Sequence, residues 1–291
     1  MIHDFTYLRP GTVQEALTML SDHVDDCKII CGGQSLLIVM RQGLIVTNHL
    51  IDIKGLKELD YIKYDDKEGL KMGATTTHKS IETSALLKEK YSILPKMEER
   101  LASVQTRNWG TIGGNLAHAD AAGDPAPVLI ALGAKIKVGS NKGERVMELE
   151  EFYTDLFETA MEHDEMILEV QVPPMTPKTA CVYKKFNLLQ NDMGIVGVAA
   201  KVVVDASGMI TDARVVLGNA GVTPIRAKSA EKVLIGKKPD DAIFAEAGEA
   251  AGGDADPVSD IHASDDFRRH LIKVLTKRLA KQAWEQAVKL G

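Results

Sequence analysis

Cysteine, aromatic residues and long apolar runs are all scarce in this chain. Its 291 residues include three cysteines, Cys27, Cys31 and Cys181. So few, and an odd number, argue against a disulfide framework. Three is also fewer than the four thiolates that usually hold an iron–sulfur cluster. Cys27 and Cys31 read either as half of a metal site or as small buried hydrophobes in a strand. Aromatics make up 5% of the chain against 45% hydrophobic residues, which predicts a mainly aliphatic core. No apolar run approaches the ~18 residues of a membrane span. The first residues, Met1-Ile2-His3-Asp4-Phe5, lack the basic-then-apolar order of a secretory leader. The expectation is a cytoplasmic protein without direct membrane insertion. Positive charge is in deficit, with a formal net charge of −6, which speaks against a nucleic-acid partner. Two common nucleotide signatures are missing as well. No G-x-G-x-x-G follows the first strand, and there is no Walker A sequence.

What the chain does contain begins with an α/β rhythm. Thr12-Val13-Gln14-Glu15 fits a capping box, with a helix predicted over about Val13–Leu20. Lys28–Cys31 and His49–Ile53 read as strands, and Ser35–Arg41 as a helix between them, so the opening is β-α-β-α-β. Strand candidates follow at Leu59–Tyr64 and Leu70–Ala74. Short helices are expected near Lys79–Leu87 and Lys96–Ala102, then a glycine-rich loop over Trp109–Asp124. Pro125 is suited to open a helix, because it lacks an N–H that a helix start would leave unpaired. Ala134–Val138 and Met166–Val172 read as strands. Three prolines within Pro173–Pro177 mark the best domain boundary. Beyond it come strand candidates at Ala180–Leu188, Gly194–Val204 and Thr211–Gly218, then helices at Ala227–Ile235 and Asp240–Ala251. A last long helix is capped by Ser264.

Two glycine motifs carry the chemistry. Cys31-Gly32-Gly33-Gln34-Ser35-Leu36 joins a strand to a helix. Glycine lets a backbone approach an anion closely, and a helix start adds unpaired N–H groups. Ser35 can add a hydroxyl. The same residues also make an ordinary turn. The second motif, Gly110-Thr111-Ile112-Gly113-Gly114-Asn115, offers another run of N–H groups that can form an anion-binding nest, or a surface loop held by turn residues. Two such motifs in one domain favour a dinucleotide without saying which. His118, Asp120 and Asp124 can be arranged as metal ligands, but a place for His118 beside the bound dinucleotide suits the loop better, and no metal residue is assigned.

Cys31–Leu36, followed about 75 residues later by Gln105-Thr106-Arg107-Asn108-Trp109-Gly110-Thr111-Ile112-Gly113-Gly114-Asn115, resembles the FAD-binding medium subunit of the molybdenum hydroxylase family, which includes xanthine dehydrogenase and aerobic carbon monoxide dehydrogenase. Asp164–Val170 and Tyr183-Lys184-Lys185 extend the resemblance over nearly the whole chain. It implies an α+β fold. A two-part FAD-binding domain of the vanillyl-alcohol oxidase type would occupy residues 1–175, with subdomains of about 1–55 and 56–175. Residues 176–291 would form a C-terminal domain of the carbon monoxide dehydrogenase flavoprotein type, with a small antiparallel sheet and helices.

The resemblance also implies a site. Gly32, Gly33, Gln34, Ser35 and Leu36 would hold the FAD pyrophosphate with Thr111, Ile112, Gly113, Gly114 and Asn115. Asp124 stands at the acidic position after the second motif. Ile167 and Lys185 fall at further contact positions, Lys185 being either a cation near the flavin or a solvated strand lysine. Cys31 replaces the usual alanine and puts a thiol beside the cofactor. There is no cysteine-rich insertion like that of the 4-hydroxybenzoyl-CoA reductase branch. The implied function is electron transfer: a large molybdopterin subunit oxidises the substrate, a small [2Fe-2S] subunit relays electrons, and this chain passes them to an acceptor such as NAD or a quinone. A stand-alone flavin reductase or oxidase, and a non-catalytic nucleotide-binding assembly subunit, remain as alternatives.

Overall fold

The computed structural model describes residues 3–189 and 191–290. The chain opens with β1 (Thr6–Leu8), α1 (Val13–Asp22), β2 (Cys27–Ile30), α2 (Leu36–Arg41) and β3 (His49–Asp52). The three strands form a parallel sheet in the order β1-β3-β2, so the β-α-β-α-β reading holds. The Thr12 hydroxyl accepts from the Glu15 amide and starts α1, as the capping box predicts. Ala16, Leu17 and Leu20 of α1 are buried against Ile51 and Cys27.

The middle of the chain is built on a second sheet. β4 (Ile62–Asp65) and β5 (Gly69–Gly73) form a hairpin. The helices α3 (His78–Thr83), α4 (Ala85–Lys90), α5 (Ile93–Glu98), α6 (Val104–Trp109), α7 (Ile112–His118) and α8 (Pro125–Leu132) follow. The chain then returns through β6 (Lys135–Ser140), β7 (Gly143–Glu148), the short helix α9 (Leu149–Phe152), the small hairpin β8 (Tyr153–Asp155) and β9 (Glu158–Thr159), and β10 (Met166–Val172). The five-stranded sheet runs β4-β5-β10-β6-β7, with every pairing antiparallel. Sequence reasoning finds β5, β6 and β10 but not β7, whose Gly143-Glu144-Arg145 is exposed and polar.

The third sheet comprises β11 (Thr179–Phe186), β12 (Val196–Val204), β13 (Ile210–Gly218) and the two-residue β14 (Ile225–Arg226), in that order. The helices α10 (Lys228–Leu234), α11 (Asp241–Asp254) and α12 (Asp265–Lys289) complete it. α12 packs on β11 and β12, while α8 packs on β12 and β13. All eight residues of α8 are buried, because the helix lies between the second and third sheets. Its lack of a polar face is the signature of that placement. Close contacts fix the junction. A Cβ on Gly218 would meet Pro127 Cγ at 2.8 Å, and the Asn219 amide donates to the Ala121 carbonyl at 2.7 Å. Among the described residues no helix is long and apolar enough to cross a membrane.

Candidate cofactor site

The first motif lies where β2 delivers the chain to α2. Gly33 has φ +67°, a left-handed backbone that a side chain would strain. Gly32 is required for a different reason. A Cβ there would stand 2.6 Å from both Gly110 Cα and the Trp109 carbonyl oxygen. The two glycine motifs, far apart in sequence, therefore touch backbone to backbone, and only glycine permits that approach. Lys54, just beyond β3, closes the same seam by donating from Nζ to the Trp109 carbonyl at 3.0 Å.

The run before the second motif has a mechanical role. The Arg107 guanidinium is buried, donating from Nε to Glu82 at 2.8 Å and from Nη1 to the Leu101 and Ala102 carbonyls at 2.7 and 2.9 Å. That fixes α6, so Trp109 and Gly110 arrive against Gly32. The sequence does not predict the pair beneath. His78 is 3% exposed, and its amide donates to the Gly110 carbonyl at 3.1 Å. Its Nδ1 lies 3.0–3.1 Å from both oxygens of Glu98, which is wholly buried. Burial raises the Glu98 carboxyl above its ordinary value, against the lowering effect of His78. In sequence Glu98 resembles one more solvated helix glutamate, so composition gives no sign of it.

The glycine-rich loop expected over Trp109–Asp124 is a helix through its middle. α7 starts at Ile112, and the Thr111 hydroxyl caps it by accepting from the Gly114 amide at 3.2 Å. This changes how the second motif can act. The Ile112 amide donates to Thr76, the Gly113 amide to Ala74 and the Asn115 amide to Thr111, so the expected nest of free N–H groups does not form there. Gly113 packs tightly instead, since a Cβ would come 2.7 Å from the Ala74 carbonyl. The first motif is the opposite case. Among the described residues, no acceptor meets the amides of Gly32, Gly33, Gln34, Ser35 or Leu36, and the Ser35 hydroxyl makes no cap bond. A partly exposed loop of five unpaired donors fits an anion such as a pyrophosphate.

Asp124 and Lys185 meet. Tyr183 and Lys185 lie two apart on β11 and so project from one face of the strand. Tyr183 donates its hydroxyl to Asp124 Oδ1 at 2.6 Å, and Lys185 Nζ donates to Asp124 Oδ2 at 2.7 Å. Lys185 is 8% exposed and Asp124 6%, so Lys185 is no solvated strand lysine. Burial lifts the Asp124 carboxyl, opposed by Lys185 and Tyr183, and lifts the Tyr183 phenol well above its ordinary range. The charge on Lys185 is therefore balanced within the protein.

The other expected residues are more scattered. Ile167 is a core residue on β10, the strand against which α7 packs. His118 sits at the far end of α7, its ring 5.2 Å from that of Phe157. Asp120 accepts from the Ala122 amide, and Asp124 is taken by Lys185, so the metal arrangement considered for His118, Asp120 and Asp124 does not assemble. Cys27 opens β2 and Cys31 follows its last residue, about 13 Å apart at a strand's rise per residue, so they form no half-site. Burial raises both thiols above the ordinary range.

Comparison with known proteins agrees with this architecture. Residues 3–175 match the family model described as the FAD binding domain in molybdopterin dehydrogenase, and residues 181–283 match the carbon monoxide dehydrogenase flavoprotein C-terminal domain. The 6-hydroxypseudooxynicotine dehydrogenase complex subunit alpha of Paenarthrobacter nicotinovorans is 34% identical over 97% of this chain and 95% of its own length. Among solved structures, carbon monoxide dehydrogenase from Hydrogenophaga pseudoflava superposes with a TM-score of 0.95 at 28% identity, covering 98% of this chain and 99% of that one. Quinoline 2-oxidoreductase from Pseudomonas putida 86 gives a TM-score of 0.93 at 32% identity, covering 99% of both chains.

Proposed function

Because the chain belongs to the family of FAD-binding domains of molybdopterin dehydrogenases, in its medium-subunit form with the flavoprotein C-terminal domain, we propose that it carries electrons within a molybdenum hydroxylase complex. It takes them from [2Fe-2S] clusters of a small partner subunit and passes them to an external acceptor such as NAD or a quinone. A large molybdopterin subunit carries out the substrate oxidation. FAD is the cofactor of this chain. Residues 1–175 form the domain that holds it, and residues 176–291 form the C-terminal domain, joined to the first through Tyr183, Lys185 and Asp124.

The observation that carries the reading is the junction of the two glycine motifs, with unpaired amides concentrated on the first. Bound FAD supplies an electron carrier able to exchange one or two electrons. The chain's own residues bind and place it. The amides of Gly32, Gly33, Gln34, Ser35 and Leu36 take the pyrophosphate, with the Ser35 hydroxyl beside them. Thr111 and Asn115 add side-chain hydrogen bonds, Ile112 and Gly113 serve mainly as the close-packed wall behind, and Gly114 lies on the exposed side of α7. Cys31 lies at the entry to the loop. Asp124, held by Lys185 and Tyr183, ties the C-terminal sheet to the site, while Ile167 in the core of β10 and His118 at the far end of α7 are further contact positions implied by the family resemblance.

The test is a visible absorption spectrum of the purified chain with chromatography of the released cofactor. Flavin bands and one FAD per chain support the site. A colourless chain that takes up no added FAD, alone or with its partner subunits, overturns it.

A further inference from the structure

At the end of the first sheet opposite the glycine motif, two histidines and an aspartate converge. His23 follows α1, Asp26 precedes β2 and His49 begins β3. One donor atom from each lies within 4.8 Å of the other two. His49 Nδ1 is 3.0 Å from Asp26 Oδ1, and the His23 and His49 rings stack with centroids 3.8 Å apart.

We propose that His23, Asp26 and His49 form a site for a divalent cation of the zinc type, separate from the FAD. The argument rests on how the three are held. The Asp26 amide donates to the His23 carbonyl at 3.0 Å, and the His49 amide donates to the Asp26 carbonyl at 3.2 Å. The backbones that bear the donors are thus joined directly to one another. Asn48 Nδ2 donates to Asp26 Oδ2 at 2.8 Å, which orients the carboxylate and leaves Oδ1 turned to His49. Partners behind a carboxylate or imidazole ligand fix it in this way in metal sites generally.

Two imidazoles and one carboxylate match the preference of zinc for N and O ligands. Tetrahedral bonds of about 2.0–2.1 Å put neighbouring ligand atoms roughly 3.3 Å apart. The Asp26–His49 separation is already close to this, and the His23 donor atom lies within 4.8 Å of both. The histidine and aspartate side chains are partly open, at 22% for His49 and 40% for Asp26, so the fourth position falls to water. Bound there, the cation would clamp the end of α1 to the starts of β3 and of β2, the strand that leads to the cofactor loop.

Isothermal titration of the full FAD-loaded chain with Zn²⁺ tests this, beside His23→Ala, His49→Ala and Asp26→Asn. The expected result is one Zn²⁺ per chain at micromolar concentration. Each substitution should weaken binding about tenfold or more, while FAD content stays that of the parent. His23→Ala removes a partly exposed side chain and keeps the test valid if His49→Ala misfolds. Absence of Zn²⁺ binding by the parent overturns the proposal. So does binding whose affinity and stoichiometry survive in His23→Ala and Asp26→Asn.

Discussion

Replacing Lys185 by methionine leaves the Asp124 carboxylate buried with only the Tyr183 hydroxyl for company. Replacing Asp124 by asparagine leaves the Lys185 ammonium buried without a counter-charge, although the amide still accepts from Tyr183. Both side chains are under a tenth exposed and in direct contact at 2.7 Å, so each single change should cost about 3–5 kcal/mol of stability, the range for an orphaned buried charge. Asp124→Asn with Lys185→Met removes both charges. It should cost no more than either single variant, far short of the sum. Urea unfolding of the four proteins, followed by circular dichroism, gives the midpoints from which the cycle is built. The pH dependence adds a second reading. Burial already raises Asp124, and loss of Lys185 raises it further. A carboxyl raised above its unfolded value binds its proton more tightly when folded, so the stability of Lys185→Met should fall as pH rises through the folded value. Parent and Lys185→Met should therefore differ less at acid pH than at neutral pH. Single variants within about 1 kcal/mol of the parent, with additive effects, would refute the buried pair.

Other consequences follow from particular contacts. Gly32→Val places atoms inside 2.6 Å of the Trp109–Gly110 backbone, so the purified variant should lack flavin absorbance. Gly55→Ala, which meets nothing within 4 Å, should keep it. Thr12→Ala removes the cap of α1 and should lower stability by about 1 kcal/mol in denaturant titration. Gly248→Val in α11 would come 2.6 Å from the Lys273 carbonyl of α12. The overpacking should cost about 1–3 kcal/mol without touching FAD content. Asp260, despite a desolvation that raises it, is drawn down to about 2 by Arg268 and the His262 and Ala263 amides. A depressed carboxyl stabilises above its unfolded value and loses that contribution as pH falls through the folded one. Thermal melts of parent and Asp260→Asn should therefore differ near neutral pH and converge as pH falls from about 4 towards 2.

The sequence by itself determined many of the local elements. Capping residues placed α1 and α12, Pro125 opened α8, and alternating aliphatic runs marked β10 to β13, because each of these signals acts within a few residues. The pairing of Cys31–Leu36 with Gly110–Asn115 pointed to a dinucleotide, and the family resemblance it carried implied a flavin. Tertiary structure decided what each motif can do. Whether an amide is free depends on which carbonyl lies opposite, and the Ala74 and Thr76 carbonyls that occupy the second motif come from a distant turn. That contact turned an expected loop into a capped helix and left the unpaired donors on the first motif. The same holds for charge. Lys185 looked equally suited to solvent or to the flavin, and only the packing of β11 on α8 showed it buried against Asp124. His78 and Glu98, and the convergence of His23, Asp26 and His49, are products of chain crossing. No local pattern encodes which residues from separate elements share a few ångströms of space.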